Sequence, residues 1–463
     1  MGGFVSEVPQ EIVNGMPANW ENCSRYPANP DLPRLNPRDW QKSRDPPCNE
    51  SRRVSNIIST RRASTRCPDV ISVFASLGEN IRTSNILASA AALVIGSTVW
   101  AAPFLPGNLV VSRVGDGTGS VANNVANPVF LDEFTTAGAS AGNTIALPTA
   151  ASGANFSVAI GRSTTSAGQL QRSADGRYLL IGGTDAPVGT TNPNSNANFR
   201  GRTVARVDSD GNIDSSTRFE APGTTIRSAY STDGTDIYTT HDAGAGAPSP
   251  GGLRYMTLGQ TDGGTLMNGA TTNIRVAGSF NGQLYASAST GVGGDFRGVF
   301  SVGTGLPTTA SAYSLLPGFG VLGGASNNGN SDSSYDFFFA DSTTLYVTDD
   351  DTTAPASGGL QKWRFDGSAW VKLWTLTPIA RSIAGEVDSS GNVSLYLITG
   401  DGTTLSSLSD TLSGATAPAA FSTLATAPAN TVFRGVELAP IPEPTSLAAI
   451  AAAGLTLVRR RRA

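Results

Sequence analysis

The sequence predicts an all-β protein, a β-propeller of about six four-stranded blades closed by its C-terminal strand. Three observations lead there. One hairpin unit recurs along residues 103–440: a short strand, a Gly- or Asp-marked turn, then a strand carrying tyrosine. The tyrosines of that unit are Tyr178, Tyr238, Tyr285, Tyr346 and Tyr396, at intervals of 47 to 61 residues, which suits one blade with its loops. The ends are complementary: 108–111 reads as a second strand lacking a first, and 431–438 as a first strand lacking its successors. Their pairing would complete one blade and remove the open sheet edges that template aggregation.

The units are legible in order. Ser173-Ala174-Asp175-Gly176 is the first turn, Ser231-Thr232-Asp233-Gly234 the second and Ser279-Phe280-Asn281-Gly282 the third. Ala340-Asp341-Ser342 and residues 388–396 supply the next two. Asp-Gly and Asn-Gly between apolar runs are strong short-range hairpin signals, because both residues tolerate positive φ. Third and fourth strands follow, at 202–207 and 213–219 in one unit and at 360–365 and 369–373 in another. The stretch 149–168 fits none of these strands and leaves a seventh blade open. A β-sandwich or another repeat β fold is the alternative to the propeller.

Composition narrows the function. Residues 102–441 hold 26 Asp and Glu against 17 Arg and Lys, a net of −9. An acidic body of this kind argues against nucleic acid as a partner. The chain's three cysteines, Cys23, Cys48 and Cys67, all precede the repeat and fit no zinc spacing. No catalytic residue is assigned. His241, the one histidine, has no Cys or second His to work with and is expected as a surface polar residue. The Gly-rich stretch 318–324 lacks the Lys-Ser/Thr pair of a phosphate loop.

The loops between second and third strands are long and rich in Gly, Pro, Asn and Asp, at 185–201, 241–252, 289–298 and 349–359. A propeller places them on one face, where a binding surface is expected. Asp349, Asp350 and Asp351 begin one such loop and are the candidate calcium ligands; no other cofactor is expected. Asp208, Asp210 and Asp214 around Gly211 read as turn chemistry. Arg227, Arg275, Arg381 and Arg434 share one repeat position, with Asp336 in the corresponding place of its unit. They form either a ring for an anion or ion pairs between blades. Trp363, Trp370 and Trp374 lie on one hairpin and are expected to pack between blades.

Signals at both ends concern export. Residues 81–102 have a basic Arg82, an apolar run 86–99, and Val99-Trp100-Ala101, which sets signal cleavage at Ala101 and Ala102. Residues 1–80 are rich in Arg and Pro without strand or helix period, and read as a mis-assigned start or a disordered extension. At the other end, Pro442-Glu443-Pro444 precedes an apolar run at 447–458 and the basic cluster Arg459, Arg460, Arg461 and Arg462. Proline keeps the segment extended, and the arginines would stay cytoplasmic. Residues 441–463 resemble the PEP-CTERM sorting domain, although the apolar run is short for a full span.

That resemblance implies cleavage by an exosortase after a transient stay in the inner membrane. The expected protein is exported to the cell surface, outer membrane or extracellular matrix. Its partners would be exosortase, the secretion machinery and a surface polysaccharide or protein ligand, the propeller acting as a binding or structural module. A secreted propeller-type hydrolase or lactonase using carboxylates and calcium is the alternative.

Overall fold

The computed structural model describes residues 102–443, apart from 119–123, 162–164, 197, 244–250, 270–272, 290–296, 320–332 and 352–357. The chain divides into Met1–Leu93 and Val94–Ala463, and every described residue belongs to the second unit. The 1–80 extension, Ala101, Pro444 and Arg459, Arg460, Arg461 and Arg462 lie outside the described residues.

The described strands run as follows. β1 (Leu109–Val114), β3 (Val129–Phe134) and β4 (Ser140–Ala146) belong to blade 1; the short β2 (Ala126–Asn127) pairs instead with β5 (Ile160–Gly161). Blade 2 is β6 (Leu170–Arg172), β7 (Tyr178–Thr184), β8 (Gly201–Asp208) and β9 (Ile213–Glu220). Blade 3 is β10 (Thr224–Ser231), β11 (Asp236–Ala243), β12 (Gly252–Thr257) and β13 (Thr265–Leu266). Blade 4 is β14 (Ile274–Phe280), β15 (Gln283–Ala288), β16 (Gly298–Val302) and β17 (Tyr313–Leu315). Blade 5 is β18 (Ser334–Phe339), β19 (Thr344–Asp349), β20 (Gly359–Phe365) and β21 (Trp370–Leu376). Blade 6 is β22 (Ala380–Val387), β23 (Asn392–Thr399), β24 (Thr404–Thr411) and β25 (Ser422–Thr426).

The last strand, β26 (Val432–Leu438), is the innermost strand of blade 1, in the order β26-β1-β3-β4. It runs antiparallel to β1, with Leu109 opposite Leu438 and Val114 opposite Val432. The first strands of successive blades touch one another, and β26 touches both β6 and β22, so the ring is closed. The architecture is therefore the six-bladed propeller that the repeat predicts, not a sandwich. Residues 149–168 are not a seventh blade: they carry β5 and the Ala159–Thr184 bridge, and lace blade 1 to blade 2.

Packing follows from strand position. Second strands lie between a blade's first and third strands and have neighbouring blades on both faces, so β7 and β19 are buried at every residue. The outer strand β9 alternates, with only Ser215, Thr217 and Phe219 buried, the period-two pattern of a half-exposed strand. Apolar side chains interlock between blades: Leu131 and Ile145 of blade 1 meet Leu179 and Ile181 of blade 2, and Ile398 of blade 6 meets Leu109 and Phe433 of blade 1. Each such large side chain contributes roughly 1.5–3 kcal/mol through burial.

A second device recurs at the bulges of the first strands. The pairing register skips at Arg227, at Arg275–Val276, at Tyr335–Asp336, at Arg381 and at Arg434. A bulge frees a backbone N–H, which must find another acceptor. In four blades a hydroxyl of the second strand supplies it. Ser228 N donates to Thr240 Oγ1 at 3.1 Å, Val276 N to Ser287 Oγ at 3.2 Å, Asp336 N to Thr348 Oγ1 at 2.8 Å and Gly435 N to Ser112 Oγ at 2.8 Å. Three of these hydroxyls also donate onward to the next blade: Thr240 to Arg275 O, Ser287 to Tyr335 O and Ser112 to Gly168 O. Each is thus both a patch on its own blade and a stitch to its neighbour.

Candidate functional site

The first strands start at one face, here the upper face, and end at the lower face in the turns to the second strands. The bulges set side chains at the upper end of the inner strands. There Arg227 Nη2 donates to Asp242 at 2.9 Å, and its Nη1 reaches Asn273 of the next blade. Arg275 donates through Nε to Ser289 at 2.9 Å, and its guanidinium lies 4.8 Å from the Tyr335 ring centroid. Arg381 Nε donates to Asp350 Oδ2 at 3.0 Å, and Arg275 Nη2 approaches the other oxygen of Asp350 at 4.0 Å. One carboxylate thus ties blades 4, 5 and 6. Arg434 is buried. Burial, followed by the like charge of Arg275, pulls Arg227 down to about 10. Arg227, Arg275 and Arg381 therefore act through cross-blade pairing. The register aligns Tyr335, not Asp336, with them, because the blade 5 bulge sets Tyr335 where blade 4 has Arg275 and Asp336 where it has Val276.

The Asp triplet does not converge. Asp349 accepts from Ser333 N at 3.1 Å, Gln361 Nε2 at 2.8 Å and Asp351 N at 2.8 Å. Asp350 is held by Arg381 and by the Ser333 hydroxyl at 2.6 Å. No group of three or more His, Cys, Asp or Glu that could hold a metal occurs among the described residues. Calcium needs several oxygens turned to one point; here Asp349 and Asp350 are already engaged by Ser333, Gln361 and Arg381, so the set does not fit the ion.

His241 departs from the sequence expectation, being fully buried rather than at the surface. Its Nε2 lies 3.0 Å from Thr239 Oγ1 and its ring meets Phe219 edge-on at 5.1 Å. Burial and the charges of Arg254, Arg202 and Arg227 hold it well below the ordinary histidine range, so it stays neutral. Asp208 caps its own turn, accepting from Asp210 N and Asn212 N, both at 2.9 Å. Of the tryptophans, Trp363 packs between blades as expected, stacking at 4.2 Å on Phe319, which follows blade 4, whereas Trp370 meets Phe339 and Trp374 meets Tyr346 within blade 5.

What sequence reasoning missed is the lower half of the channel. Asp336, the second residue of its bulge, is buried, and its Oδ2 accepts from Ile383 N at 3.1 Å and from Gln171 Nε2 at 3.4 Å. The last contact joins blade 5 to blade 2, three blades apart in the ring of six. Burial pushes Asp336 up to about 7. Glu437 of β26 rises to about 8, through burial and then the nearby charge of Asp336, with Arg172 opposing. Glu437 borders a cavity of about 260 Å³ whose walls include Gln171, Arg172, Tyr230, Phe337 and Phe339. Phe280 stacks on Phe339 at 5.0 Å, Tyr285 lies 4.7 Å from it, and the Tyr230 and Ser279 hydroxyls meet at 2.5 Å. The signal that could have flagged Glu437 is an acid set between the apolar Val436 and Leu438 of the closing strand.

The segment after β26 crosses the same face. Ile441 N donates to Gly176 O at 2.9 Å, and Glu443 accepts from the Tyr178 hydroxyl at 2.7 Å with Arg177 at 3.6 Å. Pro442 precedes that glutamate. Ala102, at the other end, is exposed and accepts from Asn143 Nδ2 at 2.9 Å.

No protein-family model and no curated protein matches the chain. Solved structures similar to it include a GH74 enzyme of Niastella koreensis, at 14% identity and a TM-score of 0.35 over 70% of this chain and 46% of that one. TolB of Acinetobacter baumannii is 9% identical, with a TM-score of 0.36 over 71% of this chain and 67% of that one. The propeller domain of the Trilobed protease from Pyrococcus furiosus is 8% identical, with a TM-score of 0.32 over 68% and 84%. The chain thus spans about half the length of the GH74 enzyme. That Pyrococcus domain is described as having an open velcro topology, whereas here β26 seals blade 1. The six-bladed assignment rests on this chain's own strand order.

Proposed function

We propose that this chain is an exported surface or matrix protein, sorted through a PEP-CTERM-type signal, whose propeller serves as a binding module. The export part draws on the two terminal signals. The binding part is supported by one observation above all: the channel is polarised, with Arg227, Arg275, Arg381 and Arg434 at its upper end, Asp336 one residue further along its strand and Glu437 near the lower end. Opposed charge at the two ends of a narrow, partly desolvated passage can orient a small polar ligand. A propeller built for rigidity alone gains little from buried ionisable groups, because desolvation offsets much of their attraction.

Mass spectrometry of the mature termini in the native cell tests the export reading. A new N-terminus near Ala102 and a C-terminus near Pro442 support it; an intact chain in the cytosol defeats it. A second reading, a propeller-type hydrolase, draws on the closeness of Asp336 and Glu437 rather than on Asp349, Asp350 and Asp351. Turnover of a glycoside or ester, lost in Glu437→Gln, would establish it.

A further inference from the structure

We propose that the lower cavity is a site for a small organic ammonium ion, with the cation against the Glu437 carboxylate and its carbon skeleton against the exposed parts of the Phe337 and Phe339 rings. The inference rests on the binding-module reading and names the ligand class for it.

The argument begins with what the cavity lacks. Its walls hold one carboxyl group, Glu437, and one guanidinium, Arg172; a second carboxyl, Asp336, is not part of the wall but lies near enough to raise Glu437 by its charge. Arg172 is not free to neutralise both, because its Nε donates to Gly176 O at 3.0 Å and holds it to the turn after β6. Tyr230 is bonded to Ser279 and supplies no positive charge. One carboxylate is therefore left without a counter-charge whenever both ionise, which is why burial keeps these groups protonated toward neutral pH.

The second observation is independent of charge. Phe280, Phe337, Phe338 and Phe339 remain partly exposed at the same cavity. Aromatic faces beside a carboxylate make the setting in which a cation is bound by ring quadrupole and ion pair together. An anion would meet Glu437, and a neutral apolar ligand would bury that acid without a partner. An ammonium ion on a short carbon skeleton satisfies both walls, and about 260 Å³ accommodates one of a few heavy atoms.

The chemistry predicts a proton balance. Binding stabilises the ionised carboxyl, so near pH 7 the ligand displaces a proton from Glu437 into solvent. With Glu437 at about 8, affinity should fall roughly 20-fold between pH 8.5 and 6.5. The groups that act on Glu437 are Asp336, Arg172 and Tyr230; Asp336, at about 7, titrates in this window, while burial raises Tyr230 to about 12.

The experiment is calorimetry on the full-length protein with choline and with its uncharged isostere 3,3-dimethylbutan-1-ol, in two buffers of different ionisation heat. Expected are saturable choline binding, proton release at pH 7 that vanishes by pH 9.5, and an isostere about tenfold weaker or worse, the worth of roughly 1.4 kcal/mol. Glu437→Gln should abolish proton release and the preference for charge. Phe339→Leu should weaken choline about two- to fivefold while keeping proton release. Equal binding of choline and isostere, or no binding of either, overturns the proposal. Because proton release is read on the unaltered protein, misfolding of a variant leaves the test intact. Sedimentation with phosphatidylcholine vesicles separates the sources: co-sedimentation lost in Glu437→Gln assigns a lipid headgroup, and binding of free choline alone assigns a soluble amine. Failure here leaves the terminal-processing test of the export reading untouched.

Discussion

Lys362 offers the sharpest test of how the blades are held together. Its side chain is wholly buried on β20, and Nζ donates to Asp410 Oδ2 at 2.8 Å, to Thr411 O at 2.6 Å and to Gly414 O at 2.7 Å, all on blade 6. Tyr346 donates to the same Asp410 oxygen at 2.7 Å. Lys362→Met keeps the bulk but leaves a nearly buried carboxylate and two carbonyls without their donor. Removing one partner of a buried pair costs about 3–5 kcal/mol, chiefly as the penalty of the charge left behind. An unfolding entropy of about 2.1 cal/mol/K per residue over about 340 residues gives roughly 0.7 kcal/mol/K, so the melting temperature should fall by about 4–7 °C. Adding Asp410→Asn removes the stranded charge while leaving an acceptor for Tyr346, and should recover more than half of that loss. Differential scanning calorimetry on both variants decides the matter. A single variant within a degree of the parent, or a double variant no better than the single, would show that an uncompensated charge is not what the pairing prevents.

Other outcomes follow from the same geometry. Glu437 titrates near 8 in the fold against 4.5 when free, so its contribution to stability is complete below pH 4.5 and declines as pH rises through about 8; denaturant midpoints should therefore drop from pH 5 to pH 9 in the parent more than in Glu437→Gln. Gly435→Ala would set a methyl group 2.2 Å from Leu170 N, a backbone atom with nowhere to move, and should lower the unfolding free energy by about 1–3 kcal/mol in urea titration. Deleting residues 432–443 removes the buried Val432, Phe433 and Val436, worth roughly 5–9 kcal/mol at 1.5–3 each, and should replace one cooperative melting transition with a broad or earlier one. Tyr178→Phe releases Glu443 from its hydrogen bond and should quicken proteolysis at 440–443 while changing the melting temperature little, since ion pairs and hydrogen bonds this exposed contribute about 1 kcal/mol or less.

Much of the fold was legible because turn chemistry and strand period are local. Asp175-Gly176, Asp233-Gly234 and Asn281-Gly282 each mark a hairpin that the structure contains, with the glycine of each at positive φ. The tyrosine of each unit lies on a second strand, as the interval implied. Closure by 431–438 was legible too, because a first strand without successors needs a partner elsewhere. Residues 149–168 were not, since β5 and the Ala159 bridge depend on partners far along the chain.

The channel was harder to read. Arg227, Arg275, Arg381 and Arg434 stood out as a repeated position, but a bulge shifts register by one residue, and sequence alignment alone placed Asp336 where Tyr335 belongs. His241 looked like a loop residue because it adjoins Asp242 and a Gly-rich stretch, yet it lies within the second strand β11 and is fully buried. The influence of Asp336 on Glu437 could not be seen at all: one belongs to blade 5 and the other to the strand that closes blade 1.

The position of that closing strand separates two fates of the polypeptide. β26 ends at Leu438, and the glutamate five residues on is fastened to the first hairpin of blade 2. Severing the backbone beyond Glu443 leaves every pairing of β26 with β1 latched, whereas severing it ahead of Val432 frees an inner strand and unzips the circle. Loss of the residues beyond Glu443 and loss of the native body are thus governed by adjoining stretches of chain, and the first can occur without the second.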